Sequence, residues 1–276
     1  MLIDTHCHIN DAQFDTDRQQ VIERAQENGI QMLIEIAESP ETWEAAITLA
    51  EQYPFVYATL GIHPHHAHLY PWNTIKEKFI SLSRHPKVVA IGEFGLDYFR
   101  MRNTKEEQFL LCQEQLALAH EIQKPIVIHC REAHEDLQKL LSPLFPRLSS
   151  LPSAHVSQPV GVIHCFSGTL EDAHFYIDRG FVLGVDGPLT YPSAKGLQQV
   201  MEQLPLSSII LETDSPYLPP QTHRGQRNEP LQIRTIAQAL AHLQKKTLEE
   251  VALLTTHNAM ALYRLHASNC SDSRNG

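Results

Sequence analysis

The stretch Val88-Val89-Ala90-Ile91-Gly92-Glu93 is apolar at nearly every position and ends in a carboxylate. A continuous apolar run of this length is typical of a β-strand buried on both faces, as in a parallel sheet. Seven further runs of the same kind follow the same rule: Leu2–His6, Gln31–Ile36, Val56–Gly61, Ile126–His129, Gly161–His164, Phe181–Val185 and Ser208–Glu212. The sequence therefore predicts eight buried strands.

Longer segments with helical periodicity separate these strands, among them Asp17–Gly29, Glu41–Gln52, Lys105–Gln123 and Leu170–Arg179. Gly29 and Gly180 stand where the first and last of these helices should end, the usual place for a left-handed residue. Repeated strand–helix alternation predicts the α/β class and a (β/α)8 barrel of the TIM type, because closure leaves no sheet edges. An open doubly wound sheet is the alternative, but no glycine-rich dinucleotide loop follows the first strand.

The bulk properties of the chain fit one barrel of ordinary size. It has 276 residues, 42% of them hydrophobic, and a formal net charge of −10. We expect a single domain over residues 1–266, a surface insertion at Ser142–Val160 and a flexible tail over residues 267–276. The N-terminus lacks a signal-peptide pattern and no apolar run reaches 18 residues, which predicts a cytoplasmic protein that does not span a membrane. No obligate protein partner is evident from the sequence. The acidic balance argues against tracking along nucleic acid by counterion release.

Polar residues interrupt the apolar strands at their carboxyl ends, and in a barrel these ends form one rim. Imidazole and carboxylate groups suit Zn²⁺, Mn²⁺ or Ni²⁺, with Mg²⁺ at oxygen-rich positions. Each residue alone has a packing explanation, but ligand-type residues from five strands on one rim favour a metal centre, since buried polar groups need partners. Four histidines and two carboxylates are enough for two ions bridged by a carboxylate. These six residues are His6, His8, Glu93, His129, His164 and Asp214.

The same regions carry several distinctive motifs. They are Leu2-Ile3-Asp4-Thr5-His6-Cys7-His8, Gly61-Ile62-His63-Pro64, Ile91-Gly92-Glu93-Phe94-Gly95-Leu96-Asp97-Tyr98, Pro125-Ile126-Val127-Ile128-His129-Cys130-Arg131, His164-Cys165-Phe166-Ser167-Gly168, Leu211-Glu212-Thr213-Asp214-Ser215-Pro216-Tyr217-Leu218, and Arg224-Gly225 with Asn228 and Pro230. From Met1 to about Arg264 the chain resembles the TatD family of metal-dependent deoxyribonucleases, within the amidohydrolase-like barrel superfamily. Extra material around Leu148–Gln158 departs from the family pattern and spares the motifs.

The resemblance implies a role for each rim residue. His6 and His8 would bind one ion with Asp214, His129 and His164 would bind the second, and Glu93 would bridge the two. Some relatives place a carboxylated lysine between the metals. Lys87 lies at the opposite end of the fourth strand, and Glu93 occupies the rim instead. This favours the deoxyribonuclease branch.

The expected reaction is hydrolysis of DNA phosphodiester bonds, as a 3′–5′ exodeoxyribonuclease on weakly bound single-stranded ends. Two divalent ions, Mg²⁺ or Mn²⁺ in catalysis with Zn²⁺ or Ni²⁺ as other bound ions, would neutralise the phosphate and supply hydroxide near neutral pH. Asp214 is the expected general base, acting with Glu93. Two alternatives stay open because one barrel rim supports many chemistries: a dinuclear hydrolase of a small amide, lactone or phosphoester, and a non-catalytic metal-binding scaffold.

Other rim residues are candidates for substrate contact. His63 and Arg131 could hold phosphate oxygens, Arg131 through its planar fork. His63 could instead support the ligands or order a loop, and Arg131 could pair with Glu132 or Asp136. Ordering of the loop after the eighth strand is the favoured role of Arg224 and Asn228. An exposed aromatic ring could stack on a base, although packing is the simpler role for the three candidates Tyr98, Phe99 and Phe166.

Overall fold

Eight parallel strands form one sheet in chain order, as seen in a computed structural model that describes residues 1–150 and 158–265. Each strand is hydrogen-bonded in parallel to the next along the chain. The strands are β1 (Leu2–Cys7), β2 (Ile30–Ala37), β3 (Val56–Leu60), β4 (Val88–Asp97), β5 (Ile126–Arg131), β6 (Gly161–His164), β7 (Phe181–Val185) and β8 (Ile209–Leu211).

Helices connect these strands and surround the sheet. The described α-helices are α1 (Arg18–Glu27), α2 (Trp43–Gln52), α3 (Trp72–Ser83), α4 (Lys105–Ile122), α5 (His134–Leu141), α6 (Leu170–Ile177), α7 (Lys195–Gln203), α8 (Ile233–Leu243) and α9 (Leu248–Tyr263). Gly29 and Gly180 follow α1 and α6 with φ of 85° and 86°. Both therefore adopt the left-handed conformation that the sequence predicted.

The seam between β8 and β1 closes the sheet into the predicted (β/α)8 barrel. Part of this seam lies beyond the end of β8, where Cys7 and Ser215 form a parallel bridge. The N–H of His8 donates to the carbonyl oxygen of Ser215 at 2.7 Å, and Thr5 Oγ1 donates to the carbonyl oxygen of Leu211 at 2.9 Å. The open doubly wound alternative is thereby excluded.

Two layers of apolar side chains hold the barrel together. The larger cluster fills the space between the strands and the surrounding helices. A second cluster fills the barrel interior, where Ile3, Ile34 and Ile210 meet Leu262 and Tyr263 of α9. Tyr263 Oη also donates to the carbonyl oxygen of Thr5 at 3.2 Å. Helix α9 therefore covers the interior at the end opposite the strand carboxyl termini.

Strands β4 and β8 differ from the predicted boundaries, and the rim is built on both. β4 continues to Asp97, so Glu93 lies inside the strand instead of at its end. A Cβ on Gly95 would overlap the carbonyl oxygen of His129, so glycine permits the close approach of β4 to β5. β8 ends at Leu211, one residue before the predicted Glu212, because contacts of the following loop complete the seam.

The predicted insertion lies between α5 and β6. In its described part, the N–H of Leu148 donates to the carbonyl oxygen of Asp178 at 2.8 Å. Residues 151–157, and the predicted tail over residues 267–276, lie outside the described residues. Within the described ranges, no helix combines the length and apolar character needed to cross a lipid bilayer.

Candidate metal centre

The carboxylate of Glu93 lies at the centre of the rim cluster. Its Oε1 accepts a hydrogen bond from, or shares a proton with, Nδ1 of His129 at 2.7 Å. Oε1 also lies 3.8 Å from Nε2 of His164, and Oε2 lies 3.3 Å from Nε2 of His6. The two oxygens therefore face imidazoles from different strands. Glu93 is thus placed between imidazoles that can act as metal ligands.

Asp214 completes the cluster on the side of β1. Its Oδ1 lies 3.2 Å from Nε2 of His8, 3.7 Å from Nε2 of His6 and 4.0 Å from Nε2 of His164. With a φ of 55°, Asp214 has a left-handed backbone that is uncommon outside glycine and is concentrated at functional sites. The structure thus brings together all six residues that the sequence predicted as ligands.

Burial and the contact between Asp214 and His8 set the pKa values of these two residues. Burial raises the pKa of Asp214, but the hydrogen bond to His8 and the nearby imidazoles outweigh it and lower this pKa. Burial lowers the pKa of His8, but the hydrogen bond to Asp214 outweighs burial and raises the pKa to about 10. A metal ion binds the neutral imidazole, so cation binding at His8 would be coupled to release of a proton.

The ring of His6 tests whether the cluster fits a cation. It stacks on the ring of His164 with centroids 3.5 Å apart and an interplanar angle of 16°. His6 is fully buried, its Nδ1 has no hydrogen-bond partner among the described residues, and its Nε2 faces the carboxylates of Glu93 and Asp214. Buried polar atoms rarely go unpaired, and a neutral imidazole nitrogen is a common metal ligand. The donor set therefore fits a divalent cation.

The carboxylate of Glu212 contacts the ring of His164, a role that the sequence analysis did not predict. Its Oε1 lies 3.0 Å from Nδ1 of His164 and accepts a hydrogen bond from the N–H of Cys165 at 2.5 Å. A Cβ on Gly184 would overlap both carboxylate oxygens, so the glycine makes room for this side chain. A carboxylate on the second nitrogen of a ligating histidine fixes the orientation of its ring. In the sequence, the one indication of this role is that Glu212 stands two residues before the predicted ligand Asp214.

Asp97 performs a similar function beside His129 and was also missed. Its Oδ2 lies 2.8 Å from Nε2 of His65 and 3.4 Å from Nε2 of His129. Its Oδ1 accepts hydrogen bonds from the N–H groups of Phe99 and Arg100 at 3.0 and 2.8 Å. Burial raises the pKa of Asp97, but its contacts with His129 and His65 outweigh burial and hold the pKa well below its usual value.

His63, a predicted substrate contact, lies within the cluster. Its side chain is only 8% exposed, its Nε2 lies 3.7 Å from Oε1 of Glu93, and its Nδ1 accepts from the N–H of His65 at 3.1 Å. Burial lowers the pKa of His63 to about 3, so its ring is neutral at physiological pH. This position fits support of the ligands, or ligation itself, better than an open phosphate contact.

Arg131 faces an aromatic ring. Its guanidinium carbon lies 4.1 Å from the ring centroid of Phe99, and no ion pair joins it to Glu132 or Asp136 in the described part of the chain. Phe99 is 55% exposed, whereas Phe166 is buried in the core. Tyr98 packs within its loop, where Oη donates to Oδ2 of Asp136 at 3.0 Å. Phe99 is thus the most exposed of the three aromatic candidates.

The loop after β8 is ordered by Asn228. This buried side chain donates through Nδ2 to the carbonyl oxygens of Thr213 and Tyr217 at 2.8 and 2.7 Å. Arg224 is exposed and lies 4.4 Å over the ring of Tyr191. The geometry matches the loop-ordering role that the sequence favoured for Asn228, while Arg224 joins the loops after β7 and β8.

A (β/α)8 barrel with an imidazole and carboxylate cluster at its strand ends has the architecture of metal-dependent hydrolases. The model of the family described as TatD related DNase matches residues 3–264, and the chain belongs to this family. Its relatives include an uncharacterized metal-dependent hydrolase, YabD of Bacillus subtilis (strain 168), which is 38% identical over 96% of this chain and 100% of its own length. The protein is accordingly a metal-dependent hydrolase.

Other relatives differ in what their names state. YjjV of Escherichia coli (strain K12) is called an uncharacterized metal-dependent hydrolase and is 34% identical, over 95% of this chain and 98% of its own. A protein of Pantoea vagans (strain C9-1) named 3′-5′ ssDNA/RNA exonuclease TatD is also 34% identical, over 96% of this chain and 100% of its own. The crystal structure of Escherichia coli YjjV superposes with a TM-score of 0.85 at 33% identity, covering 96% of this chain and 98% of that one.

Proposed function

We propose that the rim cluster binds two divalent cations and hydrolyses phosphodiester bonds at the 3′ end of single-stranded DNA. One observation carries the proposal: two groups of three ligand atoms, each group within 4.8 Å, share Glu93. The first group joins Glu93 to His6 and His8, and the second joins it to His63 and His129. A shared carboxylate between two groups supports a bridged pair of ions.

The ligand assignment is the one that the family resemblance implies. His6, His8 and Asp214 would hold one ion, His129 and His164 would hold the second, and Glu93 would contact both. The closeness of His63 to Glu93 makes it a further ligand candidate beside the second ion. Asp97 and Glu212 would orient His129 and His164.

The protein groups around the cations would move the proton. When bound, the cations would neutralise charge on the scissile phosphate and lower the pKa of water. Asp214 is ionised at neutral pH, since its pKa lies below the usual value. Its Oδ1 faces the imidazoles, which leaves Oδ2 to accept the proton of an attacking water.

The choice of nucleic acid as substrate rests on relatives. Several relatives at 33–34% identity, including those of Pantoea vagans and Salmonella typhimurium, are named 3′-5′ ssDNA/RNA exonucleases. The acidic chain, with a net charge of −10, fits a short contact with an end rather than a long contact with duplex DNA.

A time course on end-labelled oligonucleotides tests the proposal. Purified protein would be incubated with single-stranded DNA, duplex DNA or RNA and with Mg²⁺, Mn²⁺ or Zn²⁺, and an EDTA reaction would serve as the control. We expect stepwise shortening of the single strand from its 3′ end, abolished by EDTA. Intact oligonucleotides together with turnover of small amides, lactones or phosphoesters would contradict the proposal and favour the second class of hydrolase.

A further inference from the structure

The ring of Phe99 is exposed at the rim, which is unusual for a phenylalanine. At 55%, it is the most exposed aromatic side chain of the described residues. The ring follows the carboxyl end of β4, the strand that carries Glu93. Single exposed apolar side chains are common on protein surfaces, so it is the place of this ring beside the candidate metal centre that matters.

The contacts of Phe99 hold the ring in place without covering it. The guanidinium of Arg131 lies 4.1 Å from the ring centroid, within the range of a cation–π contact. The N–H of Phe99 donates to Oδ1 of Asp97 at 3.0 Å. The backbone hydrogen bond to Asp97 and the contact with Arg131 therefore hold Phe99 in place, while 55% of the residue stays exposed.

The same carboxylate connects this ring to the candidate metal centre. While Oδ1 of Asp97 binds the backbone of Phe99, its Oδ2 lies 3.4 Å from Nε2 of His129. Arg131 in turn lies two residues after His129 on β5. The Phe99–Arg131 pair is thus placed at the edge of the cluster through contacts on both neighbouring strands.

We propose that the Phe99–Arg131 pair is a stacking platform for one unpaired nucleobase beside the scissile phosphate, an inference that rests on the proposed function. Stacking on an aromatic ring strengthens binding on the order of 5- to 150-fold per base. A base inside a duplex has both faces covered by its neighbours, so the platform selects an unpaired end.

The charge of the platform matches an anionic chain. The net charge of the protein is −10, yet Arg131 has no carboxylate partner among the described residues. A guanidinium left unpaired beside an exposed ring favours a ligand that combines a planar group with phosphates. A single-stranded nucleotide has both.

A base-deletion series tests the platform. Binding would be measured by fluorescence anisotropy with the full chain, Mg²⁺ and 5′-labelled single-stranded DNA whose last linkages are phosphorothioates. One oligonucleotide has all its bases, and each of three others lacks one of the last three bases. We expect Phe99→Leu to weaken binding of the complete oligonucleotide by about 10-fold. That loss should vanish when one particular base is missing, and Phe99→Trp should restore binding.

The chain offers a matched control. Phe175 on α6 has the guanidinium of Arg179 3.6 Å from its ring, so Phe175→Leu removes the same kind of pair outside the rim and should leave binding unchanged. An equal effect of Phe99→Leu on all four oligonucleotides, or no effect, would overturn the platform. If the wild-type protein shortens single strands but shows no such coupling, only the platform is wrong. If it neither binds nor shortens them, the proposed function fails with it.

Discussion

The main-chain N–H of Asp214 donates a hydrogen bond to the carbonyl oxygen of His6 at 2.9 Å. This bond lies at the seam of the barrel and joins two residues of the candidate metal centre. Beside it, Asp4 accepts from the N–H of Thr213 at 2.9 Å through Oδ1, and its Oδ2 contacts Thr213 Oγ1 at 2.6 Å. The hydrogen bonds that close the barrel at this seam therefore also hold His6 and Asp214 next to each other.

Replacing Asp214 tests the assignment of the general base. We expect Asp214→Asn to lower turnover of a 3′-ended single strand by about 10²- to 10⁴-fold, because the amide cannot accept the proton. Metal content would be measured in parallel, since the residue is also a candidate ligand. Unchanged turnover would remove Asp214 from the mechanism.

Gly184 controls the support of His164. A Cβ at this position would overlap the carboxylate of Glu212, so Gly184→Ala should displace that carboxylate and free the imidazole. We expect metal affinity, measured by calorimetry, to fall by about 10- to 100-fold. Gly196→Ala is the control, because an added Cβ there meets no atom within 4 Å. The control should keep full metal affinity; equal losses in both variants would refute the role of Glu212.

Removal of metal should destabilise the protein. A cation that binds the folded chain through its assembled cluster stabilises it by mass action. We therefore expect EDTA-treated protein to melt at a lower temperature in calorimetry, and Mg²⁺, Mn²⁺ or Zn²⁺ to restore the transition. An identical melting temperature with and without added metal would argue against binding at the cluster.

The ion pair between Asp17 and Arg227 predicts a pH dependence of stability. Both guanidinium N–H groups of Arg227 donate to the carboxylate at 2.7 Å and lower the pKa of Asp17. A carboxylate with a depressed folded-state pKa stabilises the protein above its unfolded-state pKa and loses this effect as pH falls through the folded-state value. Asp17→Asn should therefore lower the free energy of unfolding at about pH 6 and approach wild type below about pH 3.

Urea unfolding across this pH range would measure the difference. Glu27→Gln is the control, because this exposed carboxylate on α1 has no ion pair among the described residues. It should show little of the pH-dependent difference. A constant difference between Asp17→Asn and wild type at every pH would contradict the ion-pair explanation.

Salt should affect binding of single strands only weakly. The acidic chain predicts few phosphate contacts, and each neutralised phosphate of a single strand contributes about −0.7 to the slope of log K against log salt concentration. We expect a slope of about −2, corresponding to about three phosphates. A slope near −7 in an anisotropy titration would instead indicate a long nucleic-acid footprint.

The barrel and the six clustered residues could be predicted because both leave strong local patterns. Buried parallel strands give continuous apolar runs, and the polar residues that end them meet at one rim. The boundaries of β8 were less readable, because the seam depends on contacts of Ser215 and Asp214 beyond the strand. Glu93 was placed at the end of its strand although β4 continues to Asp97.

The roles of Asp97 and Glu212 could not be predicted because they depend on the second nitrogen of a histidine. The sequence shows that His129 and His164 exist but not which carboxylate their second nitrogens face. That relation is set by the register of neighbouring strands, in which Asp97 pairs with Arg131 and Gly184 leaves space for Glu212. The accessible ring of Phe99 was likewise readable only from its surroundings.

Helix α9 has a consequence for how the protein is made. Its Leu262 and Tyr263 cover the barrel interior from the end opposite the rim. A nascent chain that has emerged from the ribosome only as far as Asp214 already carries all six clustered residues, yet its interior side chains remain open to water. We therefore expect a chain that stops before α9 to leave these apolar side chains in water and to aggregate more readily than the full chain.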